Sequence, residues 1–427
     1  MVIFNKKMDI FDLFSVNCRK IRLMHFYSPA ALLCTILAVT GCKGEQETES
    51  ALISENIGFA KEQLPYLINE CEKEDGTILC PHSVTPEDQL SSTDYKGWTS
   101  GFFPGSLWLM YEFTGEEFWK TKAEQHTANI IEAQYITHHH DIGFIVGSSF
   151  GQGLRITGRE DYKPVMIQAA KSLCTRFHPG AGIIQSWNVK EGSWQSGRGW
   201  TCPVIIDNMM NLELLFEASI LSGDNTYRDV AITHANTTMK NHFRPDNSSY
   251  HVVDYNPETG EVLHRCTAQG YADESAWSRG QAWGLYGYTV CYRYTKNPEY
   301  LEQAEKIAGF IFNNPNVTED LIPYWDYNCP DIPNTYRDAS AGAITASALY
   351  ELCVLSGKNE YKEKADKIVE SLSSPAYRAQ PSTNHGYLLM HSVTSIPHNS
   401  NIDKPLCYAD YYFLEALLRK RNLEERR

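Results

Sequence analysis

The sequence has too little positive charge for a protein whose main partner is nucleic acid. It carries 38 Lys and Arg against 52 Asp and Glu, which gives a formal net charge of −14 over 427 residues. No run of basic residues stands out in the body of the chain, so we do not expect a nucleic-acid partner. An anionic substrate would need local positive potential against this unfavourable overall field.

The chain also lacks the cysteine spacings of metal sites and disulfide frameworks. None of its 12 cysteines forms a Cys-x-x-Cys or comparable motif. If Cys18 and Cys34 leave with a signal segment and Cys42 carries lipid, an odd number remains, and we expect mostly buried, reduced thiols. Three consecutive histidines at 138–140 do not predict a metal site, because adjacent histidines point in different directions.

The apolar run at 30–39 is too short to span a bilayer comfortably. Three basic residues between positions 19 and 22 precede it, and Val39-Thr40-Gly41-Cys42 ends it. This order resembles a bacterial lipoprotein signal, which predicts cleavage before Cys42 and acylation of that thiol. An unlipidated secretory signal is the alternative. We therefore predict a periplasmic or outer-membrane-anchored lipoprotein of a bacterium.

These features divide the chain into three parts. Residues 1–41 are the predicted signal segment, and the polar residues 42–50 are a predicted disordered tether. Residues 51–427 are predicted to form a single catalytic domain. With 42% hydrophobic and 21% charged residues, the chain has the composition of a soluble globular protein with a large core.

What the sequence does contain is a repeat. Six similar stretches each begin with a polar or aromatic anchor that leads into an apolar helix, and the anchors are Trp98, Asp141, Asp207, Arg279, Asp338 and Asp410. After each of the first five, a short turn precedes an aromatic residue and an amphipathic helix, which is a helical-hairpin repeat. The amphipathic helices belong outside, whereas the anchor-led helices are apolar or rich in small residues and belong inside.

With a further outer helix at about 51–71, the count becomes six inner and six outer helices. We predict an all-α fold, an (α/α)6 barrel that brings six helix beginnings to one mouth, where helix dipoles attract anions. An open solenoid is the alternative, but solenoids keep a nearly fixed period, whereas these anchors are unevenly spaced. The additional residues precede the inner helices, and one such loop predicts a small β-hairpin between Tyr250 and Cys266.

Asp207 is the first candidate for chemistry. It lies in Val204-Ile205-Ile206-Asp207-Asn208-Met209-Met210, and a carboxylate in so apolar a run is rarely without purpose. Desolvation would raise its pKa and keep it protonated near neutral pH, as a general acid requires. The alternative is an N-cap or a core carboxylate that accepts hydrogen bonds from backbone N–H groups.

Asp141 follows the three histidines and is the second candidate. Asp is a favoured N-cap, worth about 1 kcal/mol, but a cap at a barrel mouth can also contact substrate. We therefore predict catalysis or direct substrate contact for Asp141. For Asp338 and Asp410, helix capping or a salt bridge to Arg337 or another neighbour is the preferred interpretation.

Arg279 and Trp283 are spaced i, i+4 and so share one helix face. A guanidinium beside an indole can hold a carboxylate and cover a sugar ring. A salt bridge from Arg279 to Asp273 or Glu274 is the alternative. Four further tryptophans precede inner helices or lie in the preceding loop, and at least one should stack on a ligand: Trp98, Trp187, Trp194 and Trp200.

Together these segments resemble the unsaturated glucuronyl hydrolases of glycoside hydrolase family 88, over roughly residues 55 to 425. The matching segments are Gly97-Trp98-Thr99-Ser100-Gly101-Phe102, His139-His140-Asp141-Ile142-Gly143-Phe144, Ile205-Ile206-Asp207-Asn208, Tyr250-His251, Gln269-Gly270, Ser278-Arg279-Gly280-Gln281-Ala282-Trp283-Gly284, Asp338-Ala339-Ser340-Ala341 and Tyr408-Ala409-Asp410-Tyr411. The family fold is an (α/α)6 barrel. Its members act on oligosaccharides that end in a 4,5-unsaturated uronic acid, and they hydrate its vinyl ether without a metal or organic cofactor.

The resemblance also implies residue roles. Asp207 would be the general acid and base, and Asp141 the second carboxylate, which holds hydroxyls and supports it. His251 and Gln269 match positions near the reacting water and ring. Four more positions match substrate-binding residues, two of them as aromatic walls: Arg279, Trp283, Trp98 and Trp187.

The resemblance further implies a glycosaminoglycan-derived substrate. Members that accept sulfated disaccharides carry a Ser/Lys cluster in the last loop, for which the candidates here are Ser395, Ser400 and Lys404. We expect a hydrolase that removes the unsaturated uronic acid from lyase-generated oligosaccharides. Alternatives are an unsaturated rhamnogalacturonyl hydrolase acting on pectin fragments, an inverting glycosidase of the same barrel, and a non-catalytic glycan-binding lipoprotein.

Overall fold

A computed structural model of the chain describes residues 43–425. Two compact units divide the chain, Met1–Glu49 and Ser50–Arg427, and only the backbone of residues 43–49 is described in the first. The predicted signal segment at 1–41 and the predicted lipidation site at Cys42 lie outside the described residues, so both stay predictions. The predicted tether differs from the structure, because a helix begins at Lys43 and includes residues 43–50, where Glu and Gln favour helix.

The described residues are mainly helical. The α-helices, in chain order, are α1 (Lys43–Cys71), α2 (Phe102–Thr114), α3 (Glu117–Ala128), α4 (Gln152–Thr157), α5 (Lys163–Cys174), α6 (Trp194–Gly197), α7 (Leu212–Ser222), α8 (Asn225–Asn241), α9 (Ser278–Thr295), α10 (Pro298–Asn313), α11 (Ala339–Ser356), α12 (Asn359–Ser373) and α13 (Cys407–Glu425). A π-helix at Gly143–Gly151 leads directly into α4, and a 3-10 helix at Ile206–Asn211 leads directly into α7. Helix α6 is a single turn within a loop.

The inner helices form a closed ring. Helix α2 packs against the π-helix, which packs against α7, and the ring continues through α9, α11 and α13 back to α2. Aromatic rings make this last contact, because the ring of Phe102 lies 5.4 Å from that of Tyr411 and 5.8 Å from that of Tyr412. An open solenoid has no such contact between its ends, so the predicted (α/α)6 barrel is confirmed.

Burial separates the two layers as predicted. Helix α10 buries one stripe, which includes Tyr300, Ala304, Ile307 and Ile311, whereas α9 and α11 are buried over most of their length. Within residues 43–425, α11 is the one helix long and apolar enough to cross a membrane, but 72% of it is buried inside the protein, as an inner helix should be. Seven buried cysteines are free thiols: Cys71, Cys80, Cys202, Cys266, Cys291, Cys329 and Cys407.

Short antiparallel strands occupy the loops that precede inner helices. They are β1 (Cys80–Val84), β2 (Leu90–Thr93), β3 (Phe177–His178), β4 (Ile183–Ile184), β5 (Pro203–Ile205), β6 (Val252–Tyr255), β7 (Val262–Cys266), β8 (Ser392–Ser395) and β9 (Ser400–Lys404). Strands β6 and β7 confirm the predicted hairpin, and β5 joins them through the pairs Ile205 with Val252 and Pro203 with Asp254. The loops therefore form a structured rim at the end of the barrel where the inner helices begin.

Close packing between inner helices explains some of their glycines. A Cβ atom on Gly101 would lie 2.0 Å from the carbonyl oxygen of Ile145, and one on Gly143 would lie 2.5 Å from Cα of Asn211. At Gly147, in the same π-helix as Gly143, a Cβ would meet nothing within 4 Å. The crowding predicted from sequence is therefore real at Gly101 and Gly143 but absent at Gly147.

We predict opposite effects on stability for the same substitution at two positions of the π-helix. Gly143→Ala should lower the free energy of unfolding by about 1–3 kcal/mol or more, because backbone atoms must move. Gly147→Ala should change it by no more than about 1 kcal/mol, and in the favourable direction, because alanine favours helix. Urea denaturation of both variants measures the difference, and equal destabilisation would contradict the packing described.

Candidate active site

The beginnings of the inner helices bring the six predicted anchors to the end of the barrel that carries the strands. Asp338 caps α11, because its Oδ1 accepts hydrogen bonds from the N–H groups of Ser340 at 3.1 Å and Ala341 at 3.4 Å. Asp410 does not cap α13. Its carboxyl group instead accepts from the backbone N–H groups of Leu388 and Leu389, at 2.8 and 2.9 Å. Both carboxyl groups are thus satisfied by the protein itself.

Asp207 differs from these two anchors. It lies in the first turn of the 3-10 helix that follows β5, and it is only 8% exposed. Burial raises the pKa of its carboxyl group to about 7, and the charge of Asp141 adds to this effect, whereas the charge of Arg279 opposes it. A carboxylic acid with this pKa still holds its proton near neutral pH and can give it up readily.

Asp141 is held as an anion by imidazoles. Its Oδ2 lies 3.2 Å from Nδ1 of His139, and its Oδ1 lies 3.2 Å from Nε2 of His140. Burial alone would raise the pKa of Asp141, but these neighbours and the charge of Arg176 together lower it. Burial lowers the pKa of His140 to about 4, so His140 is neutral at pH 7. The pKa of His139 is raised by Asp141 against the effect of burial, and its Nδ1 also accepts a hydrogen bond from the backbone N–H group of Asp141 at 3.1 Å.

The two carboxyl groups therefore differ in protonation near neutral pH. Asp207 still carries its proton in about half of the molecules at pH 7, while Asp141 is ionised and close enough to raise the pKa of Asp207. Two neighbouring titratable groups whose environments separate their pKa values are the usual arrangement of an acid–base pair. This arrangement supports the prediction that both residues act in chemistry.

His251 points its free edge at Asp207. Its Nδ1 accepts hydrogen bonds from the backbone N–H groups of Ala268 at 3.0 Å and Gln269 at 3.2 Å, so the ring proton is on Nε2. That Nε2 lies 3.7 Å from Oδ2 of Asp207. Burial and then the charge of Arg279 lower the pKa of His251 well below its ordinary value, so the ring is a neutral N–H donor.

Several buried polar atoms near Asp207 have no hydrogen-bond partner among the described residues. They include Asp207 Oδ2 and the two ring nitrogens nearest to it, His251 Nε2 and Trp283 Nε1. Buried polar atoms in proteins are normally satisfied. A concentration of unsatisfied ones around a protonated carboxyl group therefore indicates a site whose polar groups meet a ligand.

Arg279 is placed differently from the prediction. Its guanidinium is 1% exposed and pairs with Asp338 at 3.0 Å, not with Asp273 or Glu274. The same group donates to the carbonyl oxygens of Val393 and, at 2.8 Å, Thr394, which fixes strand β8 over the site. Arg279 thus acts on Asp207 through its charge, and direct contact with a substrate carboxylate is not supported by this geometry.

The prediction that Trp283 covers a sugar ring is wrong in this structure. Its indole is fully buried, with ring centroids 5.1 Å from Phe144 and 5.4 Å from Tyr412. A ring without exposed surface cannot stack on a ligand. Its N–H edge is near enough to Asp207 to lower the pKa of that carboxyl group, although the pair does not reach hydrogen-bond geometry.

The two predicted aromatic walls are partly exposed and flank the carboxyl groups. Trp98 contacts Phe144 at 5.6 Å and Tyr408 at 4.9 Å between ring centroids. Trp187 lies 6.2 Å from the ring of His251 and forms a backbone bridge with His139. Their exposed faces are suited to a planar or sugar ligand, so their role as walls stays a prediction that the geometry favours.

Gln269 and the last hairpin form the remaining side of the site. The side-chain amide of Gln269 donates to the carbonyl oxygen of Thr394 at 3.0 Å, so it holds β8 together with Arg279. Ser395 is opposite Ser400 in the hairpin, but Lys404 is paired with Ser392 at its other end. Strand β9 separates Ser400 from Lys404 by about 13 Å at the usual rise per residue.

The three predicted sulfate-binding residues are therefore not brought together. Ser395 is buried and its Oγ is 2.8 Å from Nδ1 of His398, while Nζ of Lys404 donates to the carbonyl oxygen of Thr85 at 3.3 Å. Sequence proximity suggested one cluster, whereas the extended strand places the lysine at the far end. A combined role for Ser395, Ser400 and Lys404 does not fit this hairpin.

Arg176 was not predicted, yet it joins two segments of the site. Its guanidinium is 5% exposed and donates to the carbonyl oxygens of Gln185 at 2.7 Å and Thr137 at 2.6 Å, and to Oδ1 of Asn188 at 3.0 Å. These contacts fix the chain before Asp141 and the chain on both sides of Trp187. Burial lowers the pKa of Arg176 to about 10, so it keeps its charge at neutral pH.

No group of three or more His, Cys, Asp or Glu side chains within residues 43–425 is arranged to hold a metal ion. The three histidines do not converge. His139 and His140 both face Asp141, whereas the ring of His138 packs edge-on against that of His139 at 4.6 Å.

Comparison with known proteins gives consistent similarities. The sequence profile described as Glycosyl Hydrolase Family 88 matches residues 71–419. An unsaturated glucuronyl hydrolase of Formosa agariphila is 47% identical over 342 residues, which are 80% of this chain and 84% of that protein. An unsaturated chondroitin disaccharide hydrolase of Streptococcus pyogenes serotype M1 is 32% identical over 347 residues, which are 79% of this chain and 85% of that protein.

Solved structures agree with these sequence similarities. The crystal structure of an unsaturated glucuronyl hydrolase specific for heparin superposes with a TM-score of 0.82 at 41% identity, covering 88% of this chain and 98% of the other. The unsaturated glucuronyl hydrolase of Bacillus sp. GL1, described as responsible for the degradation of glycosaminoglycan, gives a TM-score of 0.77 at 32% identity, covering 87% and 96%.

The raised pKa of Asp207 predicts a pH-dependent change in stability for Asp207→Asn. Above about pH 4 the unfolded chain loses this proton while the folded protein keeps it, so the free energy of unfolding of the wild type falls as pH rises towards 7. The asparagine variant lacks this loss, which is on the order of a few kcal/mol. Denaturation at pH 5 and pH 8 should show the variant gaining stability, with the larger gain at pH 8.

The matched comparison is Asp410→Asn. Burial raises the pKa of Asp410 to about 8, but its carboxyl group accepts two backbone hydrogen bonds. An amide has one acceptor oxygen, so this substitution should destabilise the protein at both pH values. If the free energy of unfolding of Asp207→Asn does not rise relative to that of the wild type as pH increases, the protonation state described for Asp207 is wrong.

Proposed function

The chain belongs to Glycosyl Hydrolase Family 88, and we propose that it removes the 4,5-unsaturated uronic acid from lyase-generated glycosaminoglycan oligosaccharides. It is a glycosidase of the unsaturated glucuronyl hydrolase type. The observation that carries the proposed chemistry is the buried carboxyl group of Asp207, with a pKa near 7, beside the ionised carboxylate of Asp141.

The first step is protonation of the vinyl ether. Asp207 donates its proton to C4, the electron pair of the C4–C5 double bond forms the new C–H bond, and positive charge develops at C5 and the ring oxygen. The charge is stabilised by the carboxylate that Asp207 becomes and by Asp141. His251 contributes a neutral Nε2–H donor directed at the same place, where it can hold the substrate or the reacting water.

The second step is addition of water. Asp207, now a carboxylate, accepts a proton from water as the oxygen bonds to C5, which restores the acid form. The hemiketal opens by breaking the bond between C5 and the ring oxygen, and the hemiacetal left at C1 releases the next sugar as an alcohol. One water is consumed, and the rule that relates carboxylate separation to inversion or retention does not apply, because no displacement occurs at C1.

An anionic substrate must bind against the net charge of −14, so local positive charge at the site has to favour it. The inner helices present their N-termini at the mouth, and buried guanidinium groups of Arg279 and Arg176 lie behind the two carboxyl groups. These charges are fixed within the barrel, where screening by salt is weak. Because Arg279 is paired with Asp338 and Arg176 faces the ionised Asp141, the helix N-termini supply the positive potential that remains for the carboxylate of the uronic acid.

The reaction predicts a specific substrate test. Incubation with unsaturated disaccharides from chondroitin, hyaluronan or heparin should abolish the ultraviolet absorbance of the conjugated acid and release the second sugar. The corresponding saturated disaccharides should remain intact, because they have no double bond to protonate. If none of the glycosaminoglycan products is turned over but unsaturated pectin fragments are, the substrate class is pectin fragments. If saturated sugars are cleaved, the enzyme is an ordinary glycosidase and does not hydrate a vinyl ether.

Asp207→Asn should lower kcat by about 10²–10⁴-fold, the contribution usual for a general acid, while binding of the substrate is retained. In the wild type, kcat/KM should decline as pH rises through about 7, because the acid form of Asp207 is lost. Pre-steady-state turnover and isothermal titration measure the two quantities. If the wild type binds the oligosaccharide but does not turn it over, the protein is a glycan-binding protein and not an enzyme.

We further propose export and lipid anchoring at Cys42, as the signal-like segment before it predicts. The expected result is that membrane fractions of a bacterial host contain the acylated protein. Cys42→Ala should remain unacylated, which metabolic labelling with a fatty acid detects. Labelling of the alanine variant at wild-type level, or of neither protein, would reject the anchor and leave the enzymatic proposal unaffected.

A further inference from the structure

Trp194 is a large aromatic side chain whose place the reaction does not explain. It begins the single-turn helix α6 in the loop before β5, and 45% of its surface is exposed. Ser193 fixes the turn, because its Oγ accepts a hydrogen bond from the N–H group of Ser196 at 3.3 Å. An indole that is exposed at a binding mouth offers an apolar face on which a ligand can stack.

The ring of Trp194 extends a line of rings that leads outward from Asp207. Nε2 of His251 is 3.7 Å from Asp207, the ring of Trp187 is 6.2 Å from that of His251, and the ring of Trp194 is 5.3 Å from that of Trp187. Trp194 is therefore two ring contacts beyond His251. The unit that reacts at Asp207 cannot reach so far. Trp187 lies between and would meet the second sugar, so the third sugar of the same chain is the one that would meet Trp194.

The same ring also meets the last hairpin. The imidazole of His398, in the turn between β8 and β9, lies 5.5 Å from Trp194 in an edge-on arrangement. Its Nδ1 is fixed by Oγ of Ser395 at 2.8 Å. Two separate loops thus converge on one spot of the rim, where an apolar ring face and a polar imidazole edge are held side by side.

Trp194 is held rigidly, as a stacking surface requires. Besides Trp187 it contacts Trp200 at 5.3 Å, and Trp187 and Trp200 are stacked on each other at 6.0 Å with an interplanar angle of 19°. Arg198 covers Trp200 at 5.1 Å and donates to the carbonyl oxygen of Thr267 at 2.6 Å. Trp200 is buried and Trp187 is partly exposed, so Trp194 is the most exposed ring of the cluster.

We propose that Trp194 and His398 form an outer subsite that binds a sugar on the reducing side of the released bond, beyond the disaccharide. The apolar face of a pyranose stacks on the indole, and a hydroxyl or sulfate group meets the imidazole edge. This inference rests on the proposed function, because it assumes that the unsaturated uronic acid reacts at Asp207. With this outer subsite, the enzyme would use unsaturated tetrasaccharides as well as disaccharides as substrates.

The test compares kcat/KM for an unsaturated disaccharide and the unsaturated tetrasaccharide of the same repeat. For Trp194→Ala, the ratio of tetrasaccharide to disaccharide should fall about fivefold to tenfold, mainly through KM, as loss of one stacked aromatic contact predicts. Trp194→Tyr should recover most of the ratio because it retains a ring. His398→Ala should lower the ratio in the same direction.

The matched control is Phe118→Ala. Phe118 is 46% exposed, but it lies at the start of the outer helix α3, at the opposite end of the barrel from the rim. This change should leave the ratio as it is in the wild type. An unchanged ratio in Trp194→Ala, whether both substrates are lost equally or neither is affected, would overturn the subsite and identify Trp194 as packing for Trp187. A wild type inactive on both substrates would reject the proposed function itself.

Discussion

The transfer of the Asp207 carboxyl group out of water is the constraint on which the site depends. Burial penalises the charged form, and the largest opposing effect, the charge of Arg279, does not fully compensate, so the pKa is raised to about 7. This requires that water be kept from the barrel axis. The closed ring of inner helices achieves it, with Phe144, Trp283 and Tyr412 packed on one another beside the carboxyl group.

Burial by itself does not identify the reactive acid. Asp410 is even less exposed than Asp207 and its pKa is raised to about 8, but both of its oxygens accept backbone hydrogen bonds that hold the segment before β8. Asp338 is satisfied by the start of its own helix and by Arg279. Asp207 alone of the three has a buried oxygen without a partner among the described residues. The distinguishing quantity is therefore unsatisfied hydrogen-bonding capacity, which a raised pKa does not reveal.

The sequence was sufficient for the architecture because helical periodicity and burial are local properties. The six anchors, the outer stripe of α10 and the hairpin at β6 and β7 all follow from patterns within a few turns of chain. The family resemblance added the substrate class and the reaction, which composition and periodicity do not contain.

The sequence failed where the outcome depends on contacts between distant segments. Arg279 pairs with Asp338, 59 residues away, and with the backbone of β8, so the nearby acidic residues were poor guides. Trp283 shares a helix face with Arg279, but that face is directed into packed rings and not at the mouth. Arg176 carries no local signal, because its partners are backbone carbonyl groups whose position only the fold determines.

The two buried arginines show why loop structure and electrostatics are inseparable here. Each guanidinium holds a rim segment through carbonyl oxygens, and each lowers the pKa of one of the two carboxyl groups. A charge placed for chemistry alone would carry an uncompensated desolvation cost. Hydrogen bonds to the backbone offset that cost and fix the loops at the same time. The charges that order the rim thus also set the protonation states of Asp141 and Asp207. Replacing either arginine should therefore change both the order of its rim segment and the pKa of the carboxyl group that it affects.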